Sequence, residues 1–274
     1  MSVHEQVPVA AGRPPRIEVR NAAGSVTVEA LESTEQLAVW VEALDETAEA
    51  LLDRVEVDIR EGDAGAPARL RVTVPERRVL RTPAFAVRVS TPPGAAARVA
   101  VASAHVELTG SLGELQLTSA SGTVAVERGT DVHVRTASGD AVCATIEGDG
   151  SIATASGDIR IGRGLRRLKL RTASGEVAVE HACGPTTIKT ASGAVTIGAA
   201  AGGVVQAQTV SGDVTVGVPA GRRVWLDLHS VSGRMNSDLE EEGPGAGGRP
   251  DLTLNLESVS GRLRIGRTSP APVV

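Results

Sequence analysis

Eight serines head the residues that could do chemistry. Ser121, Ser138, Ser156, Ser174, Ser192, Ser211, Ser232 and Ser260 each precede a glycine. Two places before each stands another hydroxyl: Ser119, Thr136, Thr154, Thr172, Thr190, Thr209, Ser230 and Ser258. A hydrolytic serine needs one activated copy with a histidine base and an orienting acid. Eight equivalent serines, none with a matched histidine, point instead to hydroxyls that bond local backbone at a repeated turn. Asp140, Asp158 and Asp213 follow the corner glycine, with Glu176 in the same slot. Such a column could hold Ca²⁺ through oxygens. The slot also holds Thr123, Ala194, Arg234 and Arg262, so turn-favouring, solvated acids are the expectation.

His4, His105, His133, His181 and His229 share no metal-ligand spacing. Cys143 falls where other repeats carry an inward Val or Ile and is expected to be a small buried hydrophobe; Cys183 falls in a turn. Gly162 and Gly164 make too short a match to a dinucleotide fingerprint to count. No catalytic residue, cofactor or metal site is expected. The densest charge cluster is Arg160, Arg163, Arg166, Arg167, Lys169 and Arg171. It reads as a solvated face, or as a patch for weak contact with an anionic lipid surface, a polyanion or the acidic Glu240-Glu241-Glu242 segment of a neighbour.

The elements that carry these residues follow from the repeat. The serines are separated by 17, 18, 18, 18, 19, 21 and 28 residues. A small apolar residue sits inside each corner, from Ala120 to Val259. The flanks alternate with the period of a strand: Leu168/Leu170 before a corner, Val177/Val179 after it. Each repeat is therefore strand, tight corner, strand and a variable turn, and only stacked copies can bury the apolar face. The expected fold is an all-β, single-chain β-solenoid of rungs about 18 residues long. A left-handed hexapeptide helix would need an aliphatic residue every six, a phase that Leu168, Leu170, Val177 and Val179 break. The Ca²⁺-binding nonapeptide pattern is absent.

Four segments are expected. Residues 1–15 read as a flexible tail. Residues 16–100 read as strand-rich first rungs and an irregular cap, with strands near 55–60, 70–74 and 85–90 and a short helix over 47–54 capped by Thr47. Residues 101–268 form the regular solenoid, with a loop insertion at 238–250, and 269–274 form a C-terminal tail. The chain has no Tyr, one Phe and two Trp, so its interior must be made of many small layers. A net charge of −5 with mixed signs argues against a nucleic-acid partner. Two cysteines make no disulfide framework. No secretory leader or membrane span is legible, which gives a cytoplasmic expectation with surface association left open.

The corners, the Val-Ser-Thr-Pro-Pro-Gly segment at 89–94 and the closing Ser-Val-Ser-Gly-Arg-Leu-Arg-Ile-Gly at 258–266 resemble the bacterial toastrack, or DUF4097, group of adhesin-like proteins. The resemblance covers about residues 16–268. It implies a β-solenoid often encoded with or fused to envelope-stress and membrane-associated components, with no catalytic residue to carry over. The expected function is a non-enzymatic scaffold or binding module, adhesin-like or linked to envelope stress, with a protein or envelope-associated partner. The chain is expected to be a monomer or weak homo-oligomer. The alternatives are a polysaccharide-acting β-helix enzyme and a self-assembling structural protein.

Overall fold

Alternating aliphatic and polar residues lay down strands whose inward side chains meet in a buried apolar interior. The computed structural model describes residues 2–10, 12–62, 66–75, 82–239 and 249–268. The chain divides into two compact units, Met1–Cys143 and Ala144–Val274. Each is built from two sheets to which successive strands of the repeat contribute in turn, with antiparallel strands β1, β4 and β5 at the outer end of the first unit.

The first unit holds β1 (Ser2–Pro8), β2 (Arg16–Asn21), β3 (Ala23–Ala30), β4 (Gln36–Ala43), β5 (Glu56–Arg60), β6 (Arg69–Thr73), β7 (Ala84–Thr91), β8 (Ala96–Val101), β9 (His105–Leu112), β10 (Leu115–Ser119), β11 (Val124–Gly129) and β12 (Val132–Thr136). The unit boundary falls inside β13 (Ala141–Ile146). One sheet runs β1-β4-β7-β3-β9-β11 and the other β5-β6-β2-β8-β10-β12. Rung pairs such as β10 and β12 are parallel and in matched register, Leu115 beside Val132 and Leu117 beside Val134.

Two expectations for this unit need correction. Residues 2–8, read as part of a flexible tail, form β1 and pair antiparallel with β4 from Ser2 beside Glu42 to Pro8 beside Gln36. Val3 and Val7 alternate inward, and the β4 edge would otherwise expose unpaired backbone groups. The helix is also shorter than expected, Glu46–Glu49 followed by a 3₁₀ turn at Leu52–Arg54. Its cap is Asp45, not Thr47: Asp45 Oδ1 accepts the Ala48 N–H at 2.7 Å, and Oδ2 accepts the Ala84 N–H at 3.1 Å. Spatial order also departs from chain order, because the β2–β3 rung lies between β6–β7 and β8–β9.

The second unit holds β14 (Gly150–Ala153), β15 (Ile159–Gly164), β16 (Leu168–Thr172), β17 (Val177–Ala182), β18 (Thr186–Ser192), β19 (Val195–Ala200), β20 (Gly203–Ser211), β21 (Val214–Pro219), β22 (Val224–Ser230), β23 (Met235–Ser237), β24 (Leu252–Ser260) and β25 (Leu263–Thr268). Its sheets run β15-β17-β19-β21-β25-β23 and β14-β16-β18-β20-β24-β22. The 18-residue period becomes a vertical column: Ile159, Val177 and Val195 are register neighbours, and all are buried. Each such side chain removed from water contributes about 1.5–3 kcal/mol, so many small layers substitute for the absent aromatics.

The long 28-residue step has a topological origin. The last rung in sequence, β24–β25, inserts between β20–β21 and β22–β23. Leu252, Leu254 and Leu256 of β24 are fully buried, whereas Val224, Leu226 and Leu228 of the outermost β22 are only half-buried. The acidic Glu240-Glu241-Glu242 segment, most of the 238–250 insertion and the 269–274 tail lie outside the described residues. No helix among the described residues is long and apolar enough to cross a membrane.

Candidate functional site

Five of the eight corner hydroxyls are occupied by backbone bonds. Ser119, Thr136, Thr154, Thr172 and Ser230 each accept the N–H of the corner glycine three residues on, all at 2.9 Å. Three of the outer serines bond the neighbouring rung instead: Ser121 Oγ donates to the Ala102 carbonyl at 3.4 Å, Ser232 Oγ to the Val259 carbonyl at 3.0 Å and Ser260 Oγ to the Val210 carbonyl at 3.4 Å. These bonds tie Ser121, Ser232 and Ser260 to backbone of the adjacent rung. At Gly175 the corner glycine is required by close approach and not by an unusual φ. A Cβ on Gly175 would overlap the Gly157 carbonyl oxygen, and Gly175 does not have positive φ.

The corner changes character along the second unit. Strands β18, β20 and β24 continue through their corners. Gly193 and Gly212 donate to the carbonyls of Ser211 and Ser260, at 3.2 and 3.3 Å. The buried hydroxyls of Thr190, Thr209 and Ser258 are left without a hydrogen-bond partner. Beside these corners Val210, Val259 and Val231 are exposed, where earlier repeats carry Ala.

The expected basic cluster is split between two surfaces. Arg160 and Arg163 belong to β15, Arg166 and Arg167 to the turn, and Lys169 and Arg171 to the outer face of β16 on the other sheet. Two of the six are already paired: Arg160 meets Asp158 at 2.8 Å and Arg167 meets Asp149 at 3.4 Å. Among the described residues, Arg163, Arg166, Lys169 and Arg171 have no carboxylate at ion-pair distance. The stack adds a cation that lies outside the sequence cluster. Lys189 of β18 stands directly beside Arg171. Its position 18 residues on is the repeat period itself, so applying the period to charges as well as to aliphatics would have found it. Like charges in direct cross-strand register are unfavourable. Lys169, Arg171 and Lys189 therefore form an open, outward cationic surface.

The carboxylate slot after the corner is likewise spent on structure. Asp158 Oδ1 accepts the Glu176 N–H at 2.9 Å. Asp213 accepts the backbone N–H of Arg262 at 2.9 Å and its Nε–H at 3.1 Å. Those bonds hold the Asp213 carboxyl below the usual range. No group of three His, Cys, Asp or Glu side chains suited to a metal occurs among the described residues. Cys143 is buried, and burial pushes its thiol up to about 12, whereas Cys183 is exposed. His133 and His229 lie at outward strand positions, as expected, and His229 Nε2 sits 2.9 Å from Asp227.

Comparison with protein families gives a match to Toastrack DUF4097 over residues 17–265. Solved structures similar to this chain include a candidate lipid-binding protein from Parabacteroides distasonis, at 13% identity over 97% of this chain and 96% of that one, TM-score 0.49. They also include candidate adhesins from Parabacteroides merdae (14% identity, 97% and 96% covered, TM-score 0.44) and Bacteroides fragilis (11%, 98% and 97%, TM-score 0.42). Comparison with curated proteins gives no significant match.

Proposed function

This chain belongs to the Toastrack DUF4097 family, and from that premise we propose that it is a non-enzymatic, adhesin-like binding module for an anionic envelope surface. The contact face is the outer side of β16 and β18 around Lys169, Arg171 and Lys189, with Arg166 in the adjoining turn. The carrying observation is the direct register of Arg171 with Lys189. Two neighbouring cations without a carboxylate raise the local potential and attract anions at long range. Replacing them would not disturb the core, because all three side chains point away from it. A binding role is also supported by the corner hydroxyls, all of which but Ser230 are buried, five bonded to backbone and three without a partner, so that none is offered to a substrate.

The test is cosedimentation with vesicles of phosphatidylglycerol and phosphatidylcholine. Wild-type protein is expected to bind at low salt. Binding should be lost in K169E/R171E/K189E, and also at about 0.5 M salt, where screening shortens to a few Å. Equal binding of wild type and triple variant would overturn the reading.

A further inference from the structure

The outer face of the β5-β6-β2-β8-β10 sheet in the first unit carries two adjacent columns of opposite character. In one, Asp58, Arg71, Glu18, Arg98 and Gln116 are register neighbours in that order. Arg71 meets Glu18 at 3.1 Å, and Arg98 donates to Gln116 Oε1 at 3.0 and 2.6 Å. This column alternates donor and acceptor and is internally satisfied.

The next column is not. It runs Arg60, Arg69, Arg16 and Ala96, three arginines side by side. Arg60 is held by Asp58 through two bonds of 2.9 Å. Among the described residues, Arg16 and Arg69 have no carboxylate at ion-pair distance. Both line a groove shared with Arg60, Arg71 and Arg98 and with two carboxylates, Asp58, held by Arg60, and Glu18, held by Arg71 and Arg20. Ala96 keeps the far end of the row low, and Glu114 beyond it is engaged by the Gln116 amide at 2.7 Å.

Direct like-charge neighbours cost stability. The adjoining column shows that this sheet can carry arginines with partners, so folding does not call for the unpaired row. A guanidinium presents a planar fork that fits oxyanions in bidentate fashion. Two forks on neighbouring strands stand about 4.8 Å apart at their backbones. A tetrahedral phosphoryl group offers separate oxygen edges to both forks, whereas a planar carboxylate offers one. We propose that Arg16 and Arg69 form a phosphoryl-binding site on the first unit, taking a phosphate monoester, with Arg60 as a flanking positive charge. The site is separate from the cationic face around Arg171 and does not depend on it.

The experiment is isothermal titration of the full chain with sn-glycerol 3-phosphate, inorganic phosphate and acetate. Saturable one-to-one binding of both phosphates, and much weaker binding of acetate, is expected. Arg16→Gln/Arg69→Gln should lose at least about tenfold in affinity, as two charge-assisted bidentate contacts are removed. It should melt no lower than wild type, because a repulsive pair has been taken away. Arg69→Lys, which keeps the charge but not the fork, should lose several-fold, and K169E/R171E/K189E should bind as wild type does. Vesicles containing phosphatidic acid or phosphatidylglycerol then separate the sources. Preference for phosphatidic acid assigns the site to a lipid headgroup; binding of soluble esters alone assigns it to a free phosphate ester. Equal affinity in the double variant or in Arg69→Lys, equal affinity for acetate, or no saturable heat from wild type would overturn the site.

Discussion

Thr172 Oγ1 accepts the Gly175 N–H at 2.9 Å, whereas at the equivalent place in β20 Gly212 donates to the Ser260 carbonyl and Thr209 is left without a partner. The same four-residue corner thus exists in two hydrogen-bonding states within one stack. Valine is close in shape to threonine but cannot accept. Thr172→Val should cost about 1–3 kcal/mol, the usual penalty for orphaning a buried donor. Thr209→Val should be neutral or stabilising, since it removes a buried hydroxyl that bonds nothing. Urea denaturation of the two variants checks this; equal losses would contradict the two-state corner.

Val177 points into the core and Thr196, one slot outward in the next rung, points to solvent. Val177→Asp places an unpaired charge among buried aliphatics and should cost several kcal/mol. Thr196→Asp should lie within about 0.5 kcal/mol of wild type, as surface substitutions do. Melting curves followed by circular dichroism distinguish the two, and similar losses would refute the register.

The two thiols should differ sharply in reactivity. Native protein treated with iodoacetamide near pH 8 should be alkylated at exposed Cys183 alone, because the thiolate is the nucleophile and Cys143 is buried with its ionisation pushed up to about 12. Peptide mass mapping should show Cys143 modified only after unfolding. Modification of Cys143 in the folded protein would contradict its packing.

Asp213 contributes to the acid limb of stability. Its carboxyl is held low by the Arg262 backbone N–H and then by the guanidinium. A depressed carboxylate stabilises the fold above its unfolded pKa, and that contribution is lost as pH falls through the folded pKa. Asp213→Asn should therefore melt below wild type at neutral pH, with the gap closing as pH drops below about 4. A gap that stays constant down to pH about 2 would show that the pair is not the source.

The rungs were legible because a period-two alternation inside an 18-residue repeat leaves few ways to bury Leu168, Leu170, Val177 and Val179. The corner glycines were legible as a special conformation or a close approach; the stack shows which, since at Gly175 the preceding rung's carbonyl occupies the space a Cβ would need. The basic segment was half legible. Its six residues are adjacent in sequence, but strand alternation and the turn distribute them over two surfaces and bring Lys189 beside Arg171. The row of Arg60, Arg69 and Arg16 was not legible. Those residues are separated in the chain, and Arg69 meets Arg16 only because the β6 strand stacks outside β2.

By itself, the sequence determined the class of fold, the identity of the inward residues and the placement of the corners, because these follow from local alternation and from a repeat whose copies bury one another. Tertiary structure alone decided the order of the rungs. The inward residues of β22, Val224, Leu226 and Leu228, match those of β24, Leu252, Leu254 and Leu256, closely enough that either strand could follow β20. The chain places the all-leucine set inside and the valine-containing set at the end, where half-exposed side chains lose less by being smaller. Neighbour relations between rungs depend on that order, and so does every surface that two rungs make together.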